Sequence, residues 1–266
     1  MSEVRQRWRL AFARGEEARY LAHLDAVRLW ERAFRRGEIP VATSEGFSPR
    51  PKLIFAAPLQ LGMLAEHELA DLYLAERLTA PDLRARLEAG MPRGYSVVDL
   101  HDVWIGETAL APQLAAADYR MTLLNVKQSL VEQAADRLMA AEKLPRERRK
   151  EARTIPYDLR PLVLGLRVEP ADPAALPPDA TVAISAGLWM RLRHTQDRGS
   201  GRAEEVVAAL ADLMGLSAPP IETGETFVGS SMVGPVLEVV RPVRERLWLT
   251  GELESDEPGP VSASNG

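Results

Sequence analysis

The segment VRQRWRLAF at residues 4–12 decides how the first half of the chain folds, because its side chains alternate in character. The apolar residues and the arginines fall on opposite sides, with Val4, Trp8, Leu10 and Phe12 on one side and Arg5, Arg7 and Arg9 on the other. Alternation with a period of two is typical of a half-buried strand. The pattern therefore predicts a strand whose three arginines face solvent.

The residues that follow this strand continue in a β-α-β-β-α-β order. Apolar residues recur at helical spacing over 21–36, and Gly37 is expected to end that helix in a left-handed conformation. Extended pieces are predicted at 39–42 and 52–57, then a strand at 68–75, a helix at 82–89 and a strand at 95–100. This order is that of the split βαβ of ferredoxin-like sandwiches.

The second half of the chain repeats the order. Strands are predicted at 119–124, 154–157, 163–168, 181–193 and 222–228, helices at 127–140 and 204–214, and added edge strands at 236–240 and 246–250. The weakly patterned residues 106–117 mark a domain boundary. We therefore expect an α+β chain of two tandem ferredoxin-like (βαββαβ) sandwiches: an N-terminal domain at 1–108, a C-terminal domain at 118–250 and a disordered tail at 251–266.

The composition excludes several classes of function. The 266 residues include no cysteine and four scattered histidines, so we expect no thiolate metal site, no iron–sulfur cluster and no cofactor. No apolar run is long enough to span a membrane and no signal segment follows Met1, which favours a cytoplasmic protein. The net charge of −5 is uneven, because residues 1–60 carry 11 Lys/Arg and 7 Asp/Glu. The placement of the basic residues is therefore more informative than their total.

The loop at 44–52 is the strongest candidate binding segment. It contains prolines and a glycine that restrict its path, together with the polar residues Ser44, Ser48, Arg50 and Lys52. With Arg5, Arg7 and Arg9 of the first strand, these side chains could donate hydrogen bonds to phosphates. The alternative is a rigid crossover whose polar residues are simply solvated.

His23 and Asp25 begin the first predicted helix near this loop. A histidine in a cleft could act as a general base, and we retain the two as weak catalytic candidates. The alternative is structural, since an aspartate near a helix N-terminus is electrostatically favoured.

These segments resemble the N-terminal signature of the bacterial radical SAM-linked protein family, a domain of unknown function found alone or fused to radical S-adenosylmethionine enzymes. The matching residues are His23, Leu24, Asp25, Ser44, Gly46, Phe47, Pro49, Pro51 and Lys52. Ala22 and Arg50 depart from the pattern, where the family usually has serine and often has histidine. The resemblance continues at residues 158–161 and more loosely at Gly201 and Arg202, where proline often follows in the family and this chain has Ala203. The resemblance implies a separately encoded radical S-adenosylmethionine enzyme as partner.

A second candidate surface is the turn before the helix at 204–214. Its donors are Arg198, Gly199, Ser200, Gly201 and Arg202, placed where a helix N-terminus exposes N–H groups to an anion. The alternative is a plain tight turn. The basic run at 145–150 is predicted to be a solvated loop that could contact RNA backbone.

The function that we expect from the sequence is a non-catalytic accessory or substrate-binding module with structured RNA as its ligand. The RNA would lie in a groove between two sheets, lined by Arg5, Arg7, Arg9, Arg50, Lys52, Arg160 and Arg202. The alternatives are a metal-free endoribonuclease that uses His23 and a purely structural protein-interaction module.

Overall fold

A computed structural model gives the protein a mixed α+β fold and describes residues 3–44, 49–150, 153–176, 185–217 and 237–256. The strands are β1 (Gln6–Arg14), β2 (Leu53–Phe55), β3 (Leu64–Leu74), β4 (Tyr95–Val103), β5 (Leu114–Leu124), β6 (Pro145–Lys150), β7 (Arg153–Asp158), β8 (Val163–Pro170), β9 (Ser185–Thr195), β10 (Gly199–Ser200) and β11 (Glu238–Leu249). The helices are α1 (His23–Arg36), α2 (Ala80–Gly90), α3 (Leu110–Gln113), α4 (Gln128–Ala140), α5 (Ala203–Met214) and α6 (Thr250–Asp256). Three 3₁₀ turns occupy Glu16–Ala18, Arg160–Leu162 and Pro173–Ala175.

One large sheet runs through both halves of the described chain. Its strand order is β10-β9-β5-β11-β3-β1-β4, with β2 also paired to β3 and β8 also paired to β9. Every pairing is antiparallel except that of β11 with β3, where Val243 lies beside Leu64 and Arg244 beside Ala65. The two predicted domains therefore share a sheet, and β5 begins at Leu114, inside the stretch predicted to be a boundary.

The apolar face of β1 forms the predicted core. Trp8, Leu10 and Phe12 are buried together with Trp30 and Phe34 of α1. The Phe12 and Trp30 rings meet edge to face with centroids 5.2 Å apart, an arrangement that aromatic quadrupoles favour. The helical spacing of the apolar residues on α1 thus serves to cover this half of the sheet.

The last long strand differs most from the sequence prediction. In place of two edge strands, β11 is a single strand of 12 residues that lies between β5 and β3 at the middle of the sheet. Three register shifts along its pairing with β5 accommodate the irregular alternation that suggested two pieces. The predicted strand at 222–228 and residues 181–184 lie outside the described residues. The predicted tail begins with helix α6, and residues 257–266 lie outside the described residues as well.

Gly37 follows α1, but its φ of −80° is not left-handed. The reason for glycine is the close approach of α2, because a Cβ at this position would lie 2.3 Å from the backbone oxygen of Arg86. The left-handed residue is its neighbour Glu38, with a φ of +50°. The prediction of a left-handed conformation at Gly37 was therefore wrong, and the glycine instead allows α1 and α2 to pack closely.

The basic run at 145–150 is a strand, which corrects the prediction of a solvated loop. It pairs with β7 in a two-stranded hairpin. Two of its arginines hold the hairpin against α5, since Arg146 binds Asp212 at 2.5 Å and Arg148 binds Glu205 at 2.9 Å. Acidic partners on a neighbouring helix thus give this charge run a structural role.

Candidate functional site: a basic pocket beside helix α1

The predicted loop closes one side of a pocket of about 400 Å³ beside α1. Its cations are Arg28 and Arg35 of α1 and Arg50 of the loop, and we call it the basic pocket. The remaining lining residues are Glu31, Phe34, Ile39, Val41, Pro49 and Pro51. Three arginines, one glutamate and five apolar residues thus line the pocket.

Backbone pairing fixes the two ends of the loop that carries Arg50. Ser44 N–H donates to the Arg50 carbonyl at 2.8 Å, and Arg50 N–H donates to the Ser44 hydroxyl at 3.1 Å. Lys52 N–H donates to the Ala42 carbonyl at 2.7 Å. Ser44 therefore has an observed role in holding Arg50 in place. Ser48 lies outside the described residues.

Helix geometry places the other two arginines together. Arg28 and Arg35 are seven residues apart, which is close to two full turns and puts them on one face of α1. Arg28 lies 3.4 Å from Asp25, whereas no carboxylate of the described residues pairs with Arg35 or Arg50. Sequence analysis missed both helix arginines, although their spacing on the polar face of an amphipathic helix was a usable signal.

Other members of the predicted site lie nearby or at the surface. The Lys52 ammonium lies 4.2 Å from the centroid of the Tyr73 ring, a cation–π contact that holds it against β3. Arg5 is exposed, and its backbone N–H bonds to Leu74. Asp25 is exposed and gives no side-chain cap to α1, which begins at His23. The side chain of His23 lies outside the described part of the structure.

Arg7 and Arg9 do not face solvent, which corrects the prediction from the alternating pattern. Both are buried, and both contact Asp71 of β3. Arg7 also donates to the carbonyls of Glu107 and Thr108, at 2.5 and 2.9 Å. The arginines on the second face of β1 are therefore internal ion pairs.

Arg160 and the 198–202 turn do not join the basic pocket through any described contact. Arg160 donates to the carbonyls of Met139 and Val163, at 3.2 and 2.9 Å, and so connects α4 to β8. In the turn, Gly199 has a φ of +89° and Gly201 N–H donates to the Arg193 carbonyl. Arg198 is exposed beside Asp197, at 3.6 Å. The turn connects β9 to α5.

The N-terminus of α5 carries carboxylates where an anion was predicted to bind. Glu205 is buried and paired with Arg148, whose guanidinium also donates to the Ser200 carbonyl at 3.3 Å. Glu204 accepts from the Gln60 amide at 2.8 Å, and burial raises the pKa of its carboxyl. Arg202 lies directly before this helix. A second anion site at this turn stays a prediction.

A buried polar network joins the two halves of the sheet where β11 meets β3. The Arg244 guanidinium binds both oxygens of Glu68 and donates to the Pro58 carbonyl at 3.1 Å. Burial and the charge of Arg244 together lower the pKa of His194 to about 4. Sequence analysis missed this network, because its members come from distant segments with no shared motif.

Comparisons with known proteins complete the description of the chain. Residues 7–197 match a family model described as an uncharacterized protein conserved in bacteria (DUF2344). Among solved structures, one similar chain is in a crystal structure of a Cbf5-Nop10-Gar1 complex, with 8% identity, a TM-score of 0.47 and 90% of this chain covered. This chain spans about half of that one, 49% of its length. An unknown protein from Galdieria sulphuraria has 13% identity and a TM-score of 0.23, with 78% of this chain and 91% of that chain covered.

A search of curated proteins finds no match. In the described ranges, none of the helices has the length and apolar character needed to cross a bilayer.

Proposed function

The chain belongs to this bacterial family of uncharacterized proteins, and we propose that it is a non-catalytic RNA-binding module that works with a separately encoded radical S-adenosylmethionine enzyme. The observation that supports RNA binding is the convergence of Arg28, Arg35 and Arg50 on one pocket. Guanidinium groups form strong, charge-assisted hydrogen bonds with phosphate oxygens. Arg35 and Arg50 are the best suited, because neither forms an ion pair with a described carboxylate, although Glu31 also lines the pocket.

The accessory role rests on two features of the sequence. The motifs at residues 23–25 and 44–52 resemble those of domains fused to radical S-adenosylmethionine enzymes. Such an enzyme holds its cluster with cysteine thiolates, and this chain has no cysteine. The partner would therefore supply the chemistry, and this chain would supply binding. Co-purification from the native cell should yield an iron–sulfur protein, detected by its visible absorbance, and a complex without one contradicts the role.

We further propose that each half of the chain is a ferredoxin-like unit. The antiparallel order β2-β3-β1-β4 in the first half supports this, and the order β8-β9-β5-β11 in the second half follows the same pattern. In each half two helices connect the strands in a βαββαβ order, and the β6–β7 hairpin is an insertion in the second. The basic pocket would then occupy one edge of the first unit.

The RNA hypothesis is tested by a filter-binding titration of the full chain with an RNA hairpin. We expect the affinity to fall steeply between about 50 and 200 mM salt, because bound phosphates displace counterions. Absence of binding, or binding that does not depend on salt, would contradict RNA as the ligand. A matched control is Arg84→Ala, since Arg84 is an exposed helix arginine paired with Glu88 away from the pocket.

A further inference from the structure

Arginine and tryptophan side chains stack on each other over the second half of the sheet. We call this group the stacking face: Arg167 of β8, Trp189 and Arg191 of β9, and Arg246 and Trp248 of β11. Alternate residues of β9, such as Leu188 and Met190, are buried in the core with α4 and α5. Successive side chains of a strand point to opposite sides, so Trp189 and Arg191 lie on the side away from this core.

Hydrogen bonds hold both indole rings in fixed orientations. Trp189 Nε1 donates to Glu245 at 3.1 Å, and Trp248 Nε1 donates to Asp118 at 2.8 Å. The polar edges of the rings are thereby satisfied. Their flat faces remain for stacking, and arginines use them.

Arg167 differs from the other two arginines of the stacking face. Its guanidinium carbon lies 3.8 Å from the centroid of the Trp189 ring, the shortest such distance on this face. Arg191 is bound to Asp118 at 2.7 Å and Arg246 to Glu252 at 3.8 Å, whereas Arg167 is exposed and pairs with no carboxylate in the described ranges. It is therefore a planar cation that lies over an indole ring and is exposed to solvent.

A glycine and a cleft adjoin this stack. Gly165 precedes Arg167 on the same side of β8, and a Cβ there would lie 3.3 Å from the Trp189 ring, so the glycine lets the ring lie close against the β8 backbone. Arg120 lies opposite Trp189 in the pairing of β5 with β9. Arg120 and Gly187 also line a cleft of about 740 Å³ between the two halves of the sheet. The cleft is also lined by Glu16, Glu66, Glu169 and Asp172, and Arg120 is paired with Glu66 and Glu245. The ligand contact is therefore confined to the stack itself.

We infer that the Arg167–Trp189 stack binds an unpaired nucleobase of single-stranded RNA. Unpaired bases stack on arginine guanidinium planes and on aromatic rings, and every base has a flat face for this contact. The base would lie on the outer side of the Arg167 plane, and the positive charge beside it favours the phosphates that flank the base. This inference rests on the proposed RNA binding. It concerns residues outside the basic pocket, and it concerns a base of the RNA, whereas the basic pocket would bind phosphates.

The test compares two strands of equal charge with the full chain. One is an oligonucleotide of about 12 adenosines, and the other is an abasic ribose-phosphate strand of the same length. We expect the first to bind about 10-fold more tightly, because stacking of one base contributes an effect of that order. The preference should disappear in Arg167→Ala and also in Arg167→Lys, since lysine keeps the charge and loses the plane. Arg84→Ala, at an arginine of α2 outside both proposed sites, should keep the preference.

Each alternative result has a defined meaning. Equal binding of the two strands by the unmodified protein would overturn the base site and leave the basic pocket intact. A preference that survives in Arg167→Lys would show that charge alone is required and would also overturn it. If the protein binds neither strand and does not bind an RNA hairpin either, the proposed function itself is contradicted.

Discussion

Two groups of arginines in the first half of the molecule have the same chemistry and opposite surroundings. Arg7 and Arg9 are buried on the sheet and share one carboxylate, Asp71. Arg35 and Arg50 line an open pocket and pair with no described carboxylate. The difference shows that burial and a carboxylate partner, rather than the position of an arginine in an alternating pattern, decide whether it stabilises the fold or is available for a ligand.

The strongest test of this comparison removes a buried arginine. Arg7→Ala should lower the free energy of unfolding by about 3–5 kcal/mol, because it leaves the buried Asp71 with a single cation and removes the donor of the Glu107 carbonyl. Urea unfolding followed by circular dichroism measures the loss. The protein that remains folded should keep its affinity for RNA. A loss below about 1 kcal/mol would mean that Arg7 is not the structural residue described here.

The second test removes the two arginines of the basic pocket that have no carboxylate partner among the described residues. Arg35→Ala combined with Arg50→Ala should leave the free energy of unfolding within about 0.5 kcal/mol, since neither side chain fills the core. Affinity for an RNA hairpin should fall about 10-fold or more at low salt, and the slope of log K against log salt should decrease by about 2. An unchanged slope would exclude these arginines from the interface, and a large loss of stability would contradict their independence from the fold.

The third test concerns another buried arginine, Arg244, which binds Glu68 where β11 meets β3, and its effect on His194. Because the pKa of His194 is lowered to about 4 in the folded protein, the unfolded chain binds more protons between about pH 6.5 and 4. Stability should therefore fall as the pH decreases through this window, by about 1–3 kcal/mol at its lower end.

The control for this test is His194→Gln, because glutamine does not titrate. The difference in stability between the two proteins should be constant above about pH 7 and shrink or reverse toward pH 4. This subtraction cancels the other titrating groups, including Glu204, whose raised pKa acts in the opposite direction. Parallel pH profiles would show that His194 is not held neutral beside Arg244.

The sequence predicted most elements and failed where partners come from far along the chain. Strand β1 and helix α1 were predicted because the spacing of their apolar residues identifies one apolar face on each element. Arg7 and Arg9 are buried with Asp71 of β3, and Arg7 also binds the carbonyls of Glu107 and Thr108. Periodicity contains no information about partners so far along the chain. Residues 49–52 of the predicted loop lie beside the sheet, whereas the prediction did not include Arg28 and Arg35, whose spacing on one face of α1 was the available signal.

The central position of β11 could not be predicted for a similar reason. Its irregular alternation suggests two short pieces, and only pairing with both β5 and β3 makes it one strand. The ion pair between Arg244 and Glu68 joins residues that are 176 positions apart in the chain. Only the folded structure shows that these charges are neighbours.

The smallest expected effect separates pairing from burial. Arg84 of α2 is paired with Glu88 at 3.7 Å, but neither side chain is buried. Like Arg7 it has a carboxylate partner, and like Arg50 it is accessible to solvent. Arg84→Ala should cost at most about 0.5 kcal/mol, because an exposed ion pair gains little in water and arginine before glutamate is the weaker order on a helix. RNA affinity should not change. A loss comparable to that of Arg7→Ala, measured in the same urea titration, would show that a carboxylate partner is sufficient without burial and would remove the basis for distinguishing the two groups of arginines.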